Sequence, residues 1–99
     1  MPHMDVYSSP DGEGCVVDVQ SNLLSHLRTR VVVPMLPEGL APAPAGTLNP
    51  TFEIGTVRMV LLPQFTATVT TRELGPVIGT LAHRREDVVR ALDLLLTGI

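Results

Sequence analysis

Strand-like segments follow one another so closely along this chain that no room is left for helices to join them. Residues 4–7 and 15–20 alternate apolar and polar side chains around the turn-rich loop 8–14, which carries Pro10, Gly12 and Gly14. Strand, glycine-rich turn and strand together indicate a hairpin. A β-branched run at 30–33 is expected to stop at Pro34. Residues 51–54 and 57–62 follow as two strands around the Gly55-Thr56 turn, and 65–71 alternates with Phe65, Ala67 and Val69 facing inward. Parallel pairing needs crossovers of a dozen or more residues, usually helical. The sheet is therefore expected to be mostly antiparallel, as a small barrel or a curled sheet.

Three segments are less determined. Residues 21–29, with Leu23, Leu24 and Leu27, suit a loop or a helical turn. Residues 76–81 suit a short strand or an extended entry to a helix. The Pro/Ala-rich stretch 38–50 carries no regular pattern and is left without assigned structure.

The chain closes on a helix, expected over 83–99, with 1–81 forming the β-rich part of one 99-residue domain. Glu86 and Asp87 stand in its first turn, where carboxylates favour the helix dipole. If His83 is the N-cap, Glu86 falls at N3, although His caps poorly beside Ser or Thr. Val88, Leu92, Leu95 and Ile99 form one stripe, flanked by Val89, Ala91 and Leu96, and Leu94 widens the apolar face beyond what one small sheet covers. A second copy of the chain is the simplest cover for that excess. With three aromatic residues in the whole sequence, the core must be aliphatic, and shared core surface in a homodimer would support it.

Composition narrows the function. Net charge is −3, and all seven basic residues are arginines; an acidic chain argues against direct, non-specific nucleic-acid binding. The single cysteine, Cys15, sits among valines and reads as a buried free thiol with no basic neighbour to activate it. His3, His26 and His83 lack metal-ligand spacing, so no metal and no cofactor are expected. No apolar run is long enough to span a membrane, and a cytoplasmic protein is the expectation. Arg84 and Arg85 beside His83 suggest a solvated helix entry before they suggest a phosphate or RNA cluster. No catalytic constellation emerges, and the chain is not expected to be an enzyme.

Several strings, in this order and at nearly this spacing, resemble the CcdB toxins of plasmid and chromosomal toxin–antitoxin pairs. They are Val6-Tyr7, Asp18-Val19-Gln20-Ser21, Arg30-Val31-Val32-Val33-Pro34, Ile54-Gly55, His83-Arg84 with Asp87, and Gly98-Ile99. The resemblance spans essentially the whole chain. It implies a cytoplasmic homodimer with a small antiparallel SH3-like barrel and a C-terminal helix, the fold of the CcdB, MazF and Kid toxins. It implies binding to the DNA gyrase A subunit, trapping of the cleaved-DNA complex, and plasmid maintenance as the setting. It also implies neutralisation by a cognate CcdA-like antitoxin, with DNA met only through the toxin–antitoxin complex that represses its own operon.

Carried over from the family, the gyrase contacts fall on Thr97, Gly98 and Ile99, with Leu96 and Asp93 one turn earlier and Leu23 and Leu24 nearby. The family pattern ends Trp-Gly-Ile, and Thr97 stands where the tryptophan belongs. That departure supplies the alternative: a homologue that kept dimerisation and antitoxin binding but lost gyrase poisoning, acting as a regulatory partner. An RNA-cleaving toxin of the related fold is the enzyme alternative. The stretch from Pro42 to Pro50 replaces a more charged family segment near the antitoxin-binding region, so a divergent antitoxin is expected.

Overall fold

In the computed structural model, which describes residues 3–9, 14–42 and 46–98, seven strands precede one helix. They are β1 (Asp5–Ser8), β2 (Cys15–Asp18), β3 (Thr29–Pro37), β4 (Thr51–Ile54), β5 (Val57–Leu61), β6 (Ala67–Thr70) and β7 (Val77–Thr80), followed by α1 (Arg85–Thr97). Every pairing among them is antiparallel. The strand order is β4-β5-β3-β2-β1-β7, with β6 alongside the first half of β3. The two edges of this curled half-barrel approach each other: a side-chain carbon at Gly79 of β7 would lie 3.8 Å from the Ile54 side chain of β4.

Pro34 does not stop β3. The strand continues to Pro37, with Pro34 opposite Val16. The Pro34 carbonyl accepts from the Leu62 N–H at 2.9 Å, so its nitrogen faces the same side. On that side β3 changes partner, from Ala67 of β6 opposite Val32 to Leu61 of β5 opposite Met35. The missing donor falls in this gap between partners, where proline does not break a ladder.

The core is aliphatic, as expected. Met4, Val6, Cys15, Val17, Val33, Met35, Met59, Leu61 and Leu81 surround Phe52, and Val88 and Ala91 of α1 close it, with Val89 and Leu92 packed at its margin. β2 is buried on both faces: Val16 joins Tyr7 and Val32 in a second cluster. Strict inside–outside alternation therefore fails there.

Other expectations are corrected. The strand expected over 65–71 is β6 alone; Phe65 belongs to a 3-10 turn (Pro63–Phe65) and is 57 % exposed, and Ala67 is exposed too. Among the described residues no second layer covers these two side chains. Met4 precedes β1 in a left-handed conformation (φ 73°). Its N–H donates to the Asp18 carbonyl and its carbonyl accepts from the Leu81 N–H, a double clamp that holds the buried side chain in place.

The helix begins at Arg85 after a 3-10 turn (Ala82–Arg84), so Arg84 rather than His83 is the N-cap, and no side chain caps it. Residues 22–24 form a 3-10 turn capped by Ser21, whose hydroxyl oxygen accepts from the Leu23 N–H. Residues 46–48 form another, against which α1 packs. Buried Asn49 follows it and donates to the Leu61 carbonyl and the Gln64 side chain. Residues 10–13 of the hairpin loop and 43–45 of the proline-rich stretch lie outside the described residues.

Candidate functional site

Helix α1 turns from core to surface along its length. Val88 and Ala91 are buried, Leu92 and Leu94 are half-buried, Leu95 is 40 % exposed and Leu96 is 76 % exposed. Gly98 ends the helix in the left-handed conformation (φ 76°), its N–H donating to the Leu94 carbonyl at 3.0 Å. Glycine is the usual residue for such a cap because it has no Cβ to clash. The last turn is thus a well-formed helix end that presents leucine to solvent.

Asp93, Leu96, Thr97 and Gly98 meet at this end. The Thr97 hydroxyl donates to the Asp93 carbonyl at 2.7 Å, leaving its methyl as the apolar group free for contact. Asp93 is exposed, and a carboxylate near a helix C-terminus opposes the dipole by a few tenths of a kcal/mol. Intrinsic helix stability therefore does not account for it. Ile99 lies outside the described residues.

Leu23 and Leu24 stand elsewhere. Leu23, 88 % exposed, borders a groove of about 430 Å³ with His3, Val19, Asn22, Arg85 and Val89. Those helix residues are in the first turns of α1, and Val89 precedes Thr97 by eight residues, about 12 Å of helix. Within one chain, the two leucines and the helix end form separate surfaces.

The Asp18-Val19-Gln20-Ser21 block is structural. Asp18 pairs with Arg30 and accepts from the Gln20 N–H. Buried Gln20 accepts from the Val31 N–H through Oε1 and donates from Nε2 to the Leu24 carbonyl, both at 3.0 Å. One amide side chain thus ties β3 to the turn that carries Leu23 and Leu24. A glutamine at a strand end is not read from pattern as such a support, because its burial depends on partners distant in sequence.

The arginines at the helix entry are engaged within the fold. Arg84 lies over the Phe52 ring at 4.7 Å and pairs with Asp87 at 2.6 Å. Arg85 donates to His3 Nε2 at 3.0 Å, while His3 Nδ1 meets the Gln20 carbonyl at 3.1 Å. This is the solvated, charged helix entry expected. Cys15 is buried, and burial pushes its thiol from 9.0 up to about 11. No group of three metal-ligating side chains occurs among the described residues, and no helix there is long and apolar enough to cross a membrane.

Sequence reasoning missed a further set of exposed apolar side chains: Leu40, Phe65, Val77 and Ile78 are all near half exposed or more. Val77 and Ile78 belong to the edge strand β7, where alternation alone does not tell a covered face from an open one.

Among solved structures, the Mycobacterium tuberculosis toxin MazF-mt6 is similar in fold, with a TM-score of 0.73 at 17 % identity over 92 % of this chain and 93 % of that one. None of the curated proteins matches the chain. The family model described as CcdB protein matches residues 3–98. The chain belongs to the CcdB family.

Proposed function

We propose that this chain is the toxin of a toxin–antitoxin pair and acts by contact, without catalysis, on the DNA gyrase A subunit, stabilising its cleaved-DNA complex. The observation that carries this reading is the end of α1. A helix whose earlier turns build the core exposes Leu95 and Leu96 and finishes on a glycine cap. An apolar, well-ordered helix end suits insertion against a partner. The exposed leucines, Phe65, Val77 and Ile78 also favour a homodimer. In this reading the protein is cytoplasmic, is neutralised by a CcdA-like antitoxin and represses its operon together with it.

Purified protein added to gyrase and supercoiled plasmid should accumulate cleaved complex and bind the isolated A subunit. No cleavage at any dose together with no binding overturns the reading.

A second reading rests on Thr97. Its hydroxyl is turned back onto the helix, and its methyl offers little of the area that a tryptophan anchor supplies, an anchor commonly worth ~2 kcal/mol or more. A protein weakened there would keep its antitoxin partner and serve regulation. Thr97→Trp should then strengthen A-subunit binding by about 30-fold or more. Strong growth arrest by the unaltered protein would rule this second reading out.

A further inference from the structure

Arg30, Arg58, Arg84 and Arg90 each pair with a carboxylate. Arg85 pairs with none among the described residues; its Nε donates instead to Nε2 of His3 at 3.0 Å. The other ring nitrogen, Nδ1, meets the Gln20 carbonyl at 3.1 Å. A guanidinium can only donate and a carbonyl can only accept. Both contacts therefore hold together in one state of the ring, neutral with its hydrogen on Nδ1. A protonated ring carries a second hydrogen, on Nε2, aimed at the Arg85 cation. The hydrogen bond from Arg85 is then lost, and two like charges face each other.

The backbone holds His3 in place for this. Its N–H donates to Asn22 Oδ1 at 2.9 Å, and the next residue, Met4, is clamped between the Asp18 carbonyl and the Leu81 N–H. Gln20, whose carbonyl meets the ring, donates from its side chain to the Leu24 carbonyl. Hydrogen bonds thus run from Arg85 in the first turn of α1, through His3 and Gln20, to the turn that carries Leu23 and Leu24. In the groove between turn and helix, His3 and Arg85 are the only lining residues with ionisable side chains. On the strand side, Asp18 accepts from the Gln20 N–H and is paired with buried Arg30. On the helix side, Glu86, Arg90 and Asp93 line a separate depression with Arg85, where a released Arg85 meets carboxylates. We propose that His3 is a pH-sensitive latch: neutral, it ties the Leu23–Leu24 turn to α1, and protonated, it releases Arg85 and loosens the turn. Imidazole ordinarily changes charge between about pH 5 and 8, so mild acid is the signal. The consequence for a partner rests on the contact reading of Leu23 and Leu24: a loosened turn must be ordered on binding, which costs affinity.

The test follows the full chain by nuclear magnetic resonance at about pH 7.5 and about pH 5.5. At the higher pH, nitrogen-15 shifts should place the His3 hydrogen on Nδ1. At the lower pH, the Leu23 and Leu24 amides should lose about tenfold or more of their exchange protection, measured against an unstructured peptide at the same pH. His3→Gln cannot take up a proton, and its amide offers both a donor and an acceptor, so protection of the turn should persist at both pH values. Arg85→Met removes the cation that opposes the protonated ring, so the acid response should vanish with the turn loosened throughout. A neutral ring with its hydrogen on Nε2, turn protection indifferent to pH, or an acid response kept in either variant would each overturn the proposal. Binding of the gyrase A subunit should weaken about tenfold at the lower pH for the unaltered chain and hold for His3→Gln; equal weakening of both overturns the consequence for a partner. An acid response of the turn without gyrase binding at either pH supports the latch and counts against the contact reading alone.

Discussion

The guanidinium of Arg30 and the carboxylate of Asp18 meet at 2.8 Å with both side chains fully buried. Arg30 Nε donates to Asp18 Oδ2, and the Gln20 N–H donates to the other carboxylate oxygen. Removing one member strands a buried charge, which costs about 3–5 kcal/mol. Asp18→Ala and Arg30→Ala should each lower the urea midpoint sharply. Replacing both by apolar residues of similar volume should cost less than either single change, because no charge is left unpaired. A double substitution that costs the full sum of the two singles would show that the pair is not coupled.

Two glycines at positive φ separate backbone strain from steric collision. Gly14 (φ 69°) and Gly55 (φ 63°) both adopt the left-handed conformation, yet a side-chain carbon at Gly55 meets nothing within 4 Å, whereas one at Gly14 collides with the Met35 carbonyl. Gly55→Ala should cost only the left-handed penalty, about 1–2 kcal/mol. Gly14→Ala adds a clash inside the β2–β3 ladder and should cost about 2–5 kcal/mol. Chemical denaturation of the two variants side by side checks the difference.

Cys15 should behave as an inert core residue. With its thiol pushed up to about 11 by burial, little thiolate forms near neutral pH, and the sulfur is shielded from solvent. Alkylation under native conditions should be slow and should accelerate in step with unfolding as denaturant is added. Fast labelling of the folded protein would place the thiol at a surface.

Much of the fold was readable because its physics is local. Six of the seven strands overlap a segment read as a strand, while β7 lies in residues 76–81, which suited either a strand or an extended helix entry; the turn at Gly55 and the acidic first turn of α1 are marked by residue type. What was not readable depends on partners far away in the chain. Pro34 was expected to end a strand, and only the switch of β3 from Ala67 to Leu61 makes it harmless. Alternation placed Phe65 inside, but whether a second layer exists to cover it is a tertiary fact. At the candidate site, the apolar helix end was visible in sequence. The support that buried Gln20 gives to the turn carrying Leu23 and Leu24 was not, since it depends on Val31 of β3, distant in sequence.

Arg84 joins three parts of the molecule at the helix entry: its own turn, the Phe52 ring beneath it and the Asp87 carboxylate one turn on. The hydrogen bond from Arg84 is the main reason the Asp87 carboxyl sits below its ordinary value of 3.8, with the charges of Arg84 and Arg90 adding to it and partial desolvation opposing it. A carboxylate lowered in the folded state contributes stability that is fully present above the unfolded value and is lost as pH falls through the folded one. The contribution should therefore be intact above about pH 4–5 and fade below it, and its size should be modest because the pair is partly exposed and screened by salt. Asp87→Asn should flatten the acid limb of the stability–pH curve, and Arg84→Met should flatten it in the same pH range. Arg84→Met should also cost stability at neutral pH, because it removes the cation from the Phe52 face. Acid titrations of the three proteins followed by circular dichroism measure both effects. An acid limb unchanged in Asp87→Asn would assign the pH dependence to other carboxylates.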